Sequence, residues 1–169
     1  MGRIAYGRAD AGAFADTRHL SDDGAGEWRV AVERYGRPRA GQRWLDLGAG
    51  TGSWAAKFGR WFAGLHVVAV EPSAAMRERC GHRPLVAGEA GAVPLDANTA
   101  DAAWISTVVH HIADLGVAAR ELRRVLRPGA PVLIRSAFAG RPEGIRLFRY
   151  FPEAVGVLAG PGGAAMTAC

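Results

Sequence analysis

The sequence is short of the residues that staple small folds and of the runs that cross membranes. Cysteine occurs at only two of 169 positions, Cys80 and Cys169, which excludes a disulfide framework or a four-ligand zinc site made by cysteine alone. No apolar stretch reaches the ~18 residues of a membrane span, and the N-terminus lacks a signal-peptide h-region. Lysine is nearly missing: Lys57 is the single one, so the basic side of the net charge of +5 is arginine. Genome composition alone suffices to produce such a bias, so it points only weakly to a nucleic-acid partner. Internal repeats and long low-complexity tracts are absent as well. What remains is 49% hydrophobic and 22% charged, a globular balance at a length suited to one domain. These bounds predict a cytoplasmic chain in a reducing compartment, with one modest core of α/β size.

Residues 1–20, glycine-bearing with scattered charges, read as a loosely ordered arm. A domain is expected over 21–151, followed by a small-residue, glycine-rich tail over 152–169 with the composition of disorder. Capping chemistry near Ser21–Asp23 predicts a helix through Trp28, Val30 and Val32 to about Tyr35, broken by Gly36, Pro38 and Gly41. An alternation of strands and helices follows. Residues 43–47 read as a short strand, and residues 53–63 as a helix with Trp54, Phe58, Trp61 and Phe62 on one face. Residues 65–70 are nearly all apolar, the mark of a strand buried on both faces of a parallel sheet. Ser73 is placed to cap a short helix reaching about Cys80. Residues 85–87, 102–106 and 131–135 read as further strands. The helix after Asp114 has Leu115, Ala119, Leu122 and Leu126 on one side, and Arg120, Arg123, Arg124 and Arg127 on the other. That arginine stripe is a solvated face or a contact surface. The pattern predicts a Rossmann-like, doubly wound, mostly parallel sheet in a three-layer α/β/α arrangement. Ligands of such sheets bind beyond the carboxyl ends of the strands.

The chemistry-bearing residues fall at those ends. Asp46-Leu47-Gly48-Ala49-Gly50-Thr51-Gly52 is a glycine-rich turn after the first strand, able to bring backbone close to a ligand. It departs from the dinucleotide fingerprint G-x-G-x-x-G, because residue 53 is serine. Asp46 would repel a pyrophosphate and attract an ammonium or a sulfonium. Glu71, 19 residues after Gly52, is placed to accept both hydroxyls of a ribose. Met76 either lies on an adenine face or fills core space, and Glu89 either accepts from an adenine amino group or is plain surface. His110 and His111 invite a metal reading. Adjacent residues seldom point at one ion, however, and no third ligand is suitably spaced. They read instead as a polar wall or proton acceptor near the reacting atom, or as packing.

Taken together and in order, residues 44–138 resemble the class I S-adenosylmethionine-dependent methyltransferases. The resemblance is to the small-molecule branch similar to ubiquinone and menaquinone C-methyltransferases, of methyltransferase type 11. It is carried by Leu45–Gly52, by Val70-Glu71-Pro72-Ser73, by His110-His111 and by the run from Glu121 to Gly129. The resemblance implies S-adenosylmethionine as cofactor and a small-molecule acceptor. It implies that Gly48, Ala49 and Gly50 hold the methionyl moiety while Asp46 orients its amino group. Glu71 and Pro72 would meet the ribose, and Met76, Glu89 and Ala90 the adenine. Ser106 and Thr107 would sit beside the methyl-transfer path, and Arg18 would pair with the cofactor carboxylate. Phe14 stands where the family usually has tyrosine.

The family continues beyond its fifth strand with an antiparallel hairpin, whereas about 31 residues follow Phe138 here. The expectation is a sheet lacking the last two strands, with an apolar edge at Val132–Ile134 open to self-association. Three other classes are weighed. A nucleic-acid methyltransferase is disfavoured because Ser106-Thr107-Val108-Val109 replaces the usual Asn/Asp-Pro-Pro-aromatic run. A non-catalytic cofactor-binding module fits a shortened chain. A dinucleotide oxidoreductase conflicts with the glycine spacing.

Overall fold

A computed structural model describes residues 23–136. The elements below lie within these residues. The arm, its Phe14 and Arg18, and the expected tail lie outside the described residues.

A 3-10 turn, Asp23–Ala25, leads into α1, Gly26–Gly36. No side chain caps α1, since Ala25 sits at its N-cap, in contrast to the cap expected from Ser21–Asp23. Then follow β1 (Arg43–Leu47), α2 (Ser53–Trp61), β2 (His66–Val70), α3 (Ala74–Glu78) and β3 (Leu85–Val86). The remainder is β4 (Ala102–Ser106), a 3-10 turn at Val109–His111, α4 (Leu115–Val125) and β5 (Val132–Arg135). The sheet order is β3-β2-β1-β4-β5, with β1 parallel to both β2 and β4 and β2 parallel to β3. The chain winds outward from β1 to β3, returns to β4 and continues the other way. Right-handed crossovers therefore place α2 and α3 on one face and α4 on the other. Among the described residues no helix is long and apolar enough to cross a membrane.

The face under α2 is aromatic. Trp44 on β1 and Trp104 on β4 lie beneath the stripe of Trp54, Phe58, Trp61 and Phe62. Phe58 is fully buried, with its ring 5.3 Å from Trp104 and 6.0 Å from Trp44. Trp28 of α1 meets Trp104 edge-on at 6.4 Å. All five tryptophans of the chain join this cluster. Edge-to-face pairs of this kind add about 0.5–1.5 kcal/mol each beyond their burial. Helix α1 ends against the sheet so closely that a Cβ on Gly36 would stand 3.0 Å from Leu133 Cδ1 and would overlap Trp44.

Helix α4 begins where expected, with the Asp114 carboxylate accepting the Val117 N–H at 2.9 Å. Its inner face is rotated from the expectation. Ala118, Leu122 and Val125 are buried, while Leu115 and Ala119 are exposed. Leu122 and Leu126 are buried as expected, Leu126 as an extended residue bridging Ala100 beyond the end of the helix. The arginine stripe also divides. Arg124 forks onto Glu121, at 2.7 and 2.8 Å, and donates to the carbonyls of Val93 and Leu95. Glu121 in turn accepts the Val93 N–H at 2.8 Å, and the Arg124 guanidinium holds its carboxyl below the usual range. Arg127 pairs with Asp101. The acid and arginines of the Glu121–Gly129 run thus clamp the segment entering β4. Glu121→Ala should cost about 1–3 kcal/mol by stranding the buried Val93 N–H. It would appear as a lower urea midpoint, with Glu121→Gln retaining part of the loss.

Candidate functional site

The sheet reverses direction between β1 and β4, and the segments leaving the carboxyl ends of β1, β2 and β4 meet there. Strand register decides which side chains share a face. Asp46 aligns with Ala69 on β2 and with Trp104 on β4, and alternation carries the same face from Ala69 to Glu71. Both carboxylates therefore lie on the α2 side at adjoining strand ends.

Both are buried, Asp46 at 1% and Glu71 at 6% exposure. Asp46 Oδ2 accepts the Ala55 N–H at 3.1 Å, satisfying one free donor of the first turn of α2. Burial pushes its carboxyl up to about 7. The Ala55 hydrogen bond opposes this, and the nearby negative charge of Glu71 adds to it. Glu71 accepts the Gly50 N–H and the Ser73 N–H, each at 2.8 Å, so one carboxylate ties the β1 turn to the β2 turn. Each Glu71 oxygen keeps a second lone pair for a hydroxyl donor. Among the described residues neither acid has an ion-pair partner. Arg77 of α3 is directed onto the carbonyl oxygens of Glu71 and Pro72, at 2.9 and 2.6 Å, a contact that the sequence pattern did not single out.

The glycine turn is required by the protein before any ligand. Gly48 has φ 72 and Gly52 φ 79. A Cβ on Gly48 would lie 2.5 Å from Val108 Cγ2, and one on Gly52 2.5 Å from Cys80 Sγ. The N–H groups of Gly48 and Ala49 are both spent on the Val70 carbonyl, at 2.8 and 3.1 Å, and that of Gly50 on Glu71. What faced outward in the expectation, these backbone N–H groups, is thus turned into the fold.

Beyond β4, Ser106 is buried and Thr107 adopts φ 54, a left-handed conformation costly for a β-branched residue. Thr107 Oγ1 donates to the Ser106 carbonyl at 2.7 Å. His110 is exposed and His111 half-buried, with ring centroids 4.0 Å apart. Among the described residues no group of three or more His, Cys, Asp or Glu side chains is arranged for a metal ion. Met76 is buried at 3% exposure, which leaves little of its thioether for an adenine. Glu89 is exposed in a tight turn that pairs it with Ala92, Ala90 is half-buried within that turn, and Pro72 is exposed. The cavity lined by Arg43, Val93, Pro94, Leu95, Asp96 and Thr99, about 300 Å³, opens where β1 begins rather than where it ends.

Comparison with known proteins matches this architecture. The methyltransferase domain family matches residues 45–134. A demethylmenaquinone methyltransferase of Corynebacterium kroppenstedtii is 36% identical over 109 residues, covering 63% of this chain and 47% of that protein. A malonyl-[acyl-carrier protein] O-methyltransferase of Erwinia pyrifoliae is 34% identical over 141 residues, covering 79% and 53%. Among solved structures, an N-methyltransferase of Haemonchus contortus in complex with phosphomonomethylethanolamine and S-adenosylhomocysteine superposes with a TM-score of 0.64. It is 25% identical, and the match covers 78% of this chain and 33% of that one. The chain spans about half the length of the curated relatives it matches. It belongs to the methyltransferase domain family, in the class I S-adenosylmethionine-dependent group with its Rossmann-like sheet.

Proposed function

We propose that this chain binds S-adenosylmethionine at the β1–β2 ends and transfers its methyl group to a small-molecule acceptor in the cytoplasm by direct SN2 displacement. The observation that carries the reading is the pair of buried, mutually repelling carboxylates without a cation among the described residues. Such a pair rejects a pyrophosphate and is relieved by an ammonium and a sulfonium. In this reading Asp46 takes the cofactor ammonium and Glu71 the ribose hydroxyls. The backbone of Gly48, Ala49 and Gly50 lies along the methionyl chain, and Pro72 borders the ribose. Glu89 and Ala90 serve the adenine, with Met76 supporting that wall from beneath. Arg18 would take the carboxylate.

Bound cofactor supplies a methyl group on a sulfonium, already an excellent leaving group. The protein's part is alignment of the nucleophile with carbon and sulfur. Ser106 and Thr107 are assigned to the wall of that line, and His110 or His111 to accepting a proton from the acceptor where it has one to lose. The relatives' names suggest two acceptor types, a demethylmenaquinone-like quinol and an acyl-carrier-bound carboxylate. The test is incubation with methyl-labelled S-adenosylmethionine and each acceptor in turn. The reading expects a labelled product from at least one of them, while cofactor binding without any product would favour a non-catalytic module.

Asp46 gives this reading a pH signature. Its folded pKa of about 7 lies above the ordinary value of 3.8, so the native state holds a proton that the unfolded chain has already lost. The resulting stabilisation is full below about pH 4 and is lost as pH rises through 7. Comparing urea midpoints of the parent and Asp46→Asn, the variant should gain relative to the parent across that window, by at most a few kcal/mol. An unchanged difference would place Asp46 in a solvated setting.

A further inference from the structure

Resting on the cofactor reading for its ligand, we infer that Val108 is a positioning residue that couples the glycine turn to the His110–His111 turn. Its side chain and its carbonyl act on different partners. A Cβ on Gly48 would stand 2.5, 2.7 and 3.1 Å from Cγ2, Cγ1 and Cβ of Val108, so the whole isopropyl group lies against the Gly48 backbone. The Val108 carbonyl accepts the His111 N–H at 2.7 Å and thereby opens the 3-10 turn that carries both histidines. Val109, buried at 7% exposure, anchors that turn, and its carbonyl accepts the Ile112 N–H at 3.2 Å.

The left-handed Thr107 at the end of β4 precedes this arrangement. A β-branched residue holds such a conformation only where its surroundings over-determine it, and here the chain reverses so that Val108 points into the β1 turn. Gly48, in a left-handed conformation itself, is the soft element on the other side. Close-packed contacts of this kind pass on sub-ångström displacements rather than absorbing them. Seating of a methionyl group along Gly48–Gly50 therefore shifts Val108, and with it the histidines on the acceptor side. In this way the polar wall of the acceptor site registers whether the cofactor is in place.

The test follows the imidazole NMR signals of His110 and His111 in the full chain, with and without S-adenosylhomocysteine, and measures affinity by calorimetry in parallel. In the parent both signals should move on saturation. Val108→Ala should still bind S-adenosylhomocysteine but lose the movement, and Val108→Thr, of nearly the same shape, should restore it. Without ligand, Gly48→Ala should move the same signals and Gly48→Ala/Val108→Ala should return them toward the parent positions. Failure of the parent to bind S-adenosylhomocysteine would remove the cofactor reading, and the ligand-free variants then decide the coupling. Histidine signals that respond equally in Val108→Ala and parent, or that ignore Gly48→Ala, would overturn it. Should Gly48→Ala not fold, the Val108 pair decides.

Discussion

Glu71→Ala is expected to weaken S-adenosylmethionine binding by at least roughly 100-fold. Two hydrogen bonds from ribose hydroxyls to a carboxylate contribute ~1.5–3 kcal/mol each, and 3 kcal/mol is already a factor of about 150. The structure adds a second loss. The same carboxylate accepts the Gly50 and Ser73 N–H groups, so its removal also loosens the two turns against each other. The contributions separate by comparing S-adenosylhomocysteine with its 2′-deoxy analogue. The parent should discriminate between them and Glu71→Ala should not. Glu71→Gln should lie in between, because one amide oxygen can replace only part of the acceptor set. Unchanged affinity in Glu71→Ala would remove this residue from the site.

The largest effect on stability is expected from Gly48→Ala, at about 2–5 kcal/mol. Forcing a methyl group into a filled contact costs ~1–3 kcal/mol, and a left-handed conformation costs a side-chain-bearing residue ~1–2 kcal/mol. Here the added Cβ would meet Val108 at 2.5 Å with φ at 72. The double variant Gly48→Ala/Val108→Ala should recover the packing part and leave the backbone part, a non-additivity that urea unfolding reads directly. A Gly48→Ala variant as stable as the parent would mean that Val108 yields freely.

Much of the fold is legible in the amino-acid order, for identifiable reasons. Strands β1 and β4 match their expected ranges residue for residue, because each is a short apolar run bounded by turn formers. The aromatic spacing of α2 predicts its buried face, since four large rings at helical intervals have one way to hide. The phase of α4 was only partly legible: Leu122 is buried as expected, but the inner face is completed by the small Ala118 and by Val125, while the larger Leu115 is left exposed. The reason for the glycines was not legible. Their pattern suggests room for a ligand, while at Gly48 and Gly52 the space is taken by Val108 and Cys80, brought there by tertiary packing. Asp46 and Glu71 were legible as acids at strand ends, and alternation along two adjacent strands suffices to put them on one face.

The most direct measurement is a calorimetric titration of the full chain with S-adenosylmethionine and with NAD, at about pH 6 and about pH 8. An ammonium that holds Asp46 ionised must displace its proton below pH 7, so affinity should rise about tenfold per pH unit there and level off above. S-adenosylmethionine should bind, more tightly at the higher pH and with proton release at the lower, and NAD should not. Binding of NAD as tightly as S-adenosylmethionine, or S-adenosylmethionine affinity indifferent to pH and to Asp46→Asn, would contradict a site built on two buried acids awaiting a cation.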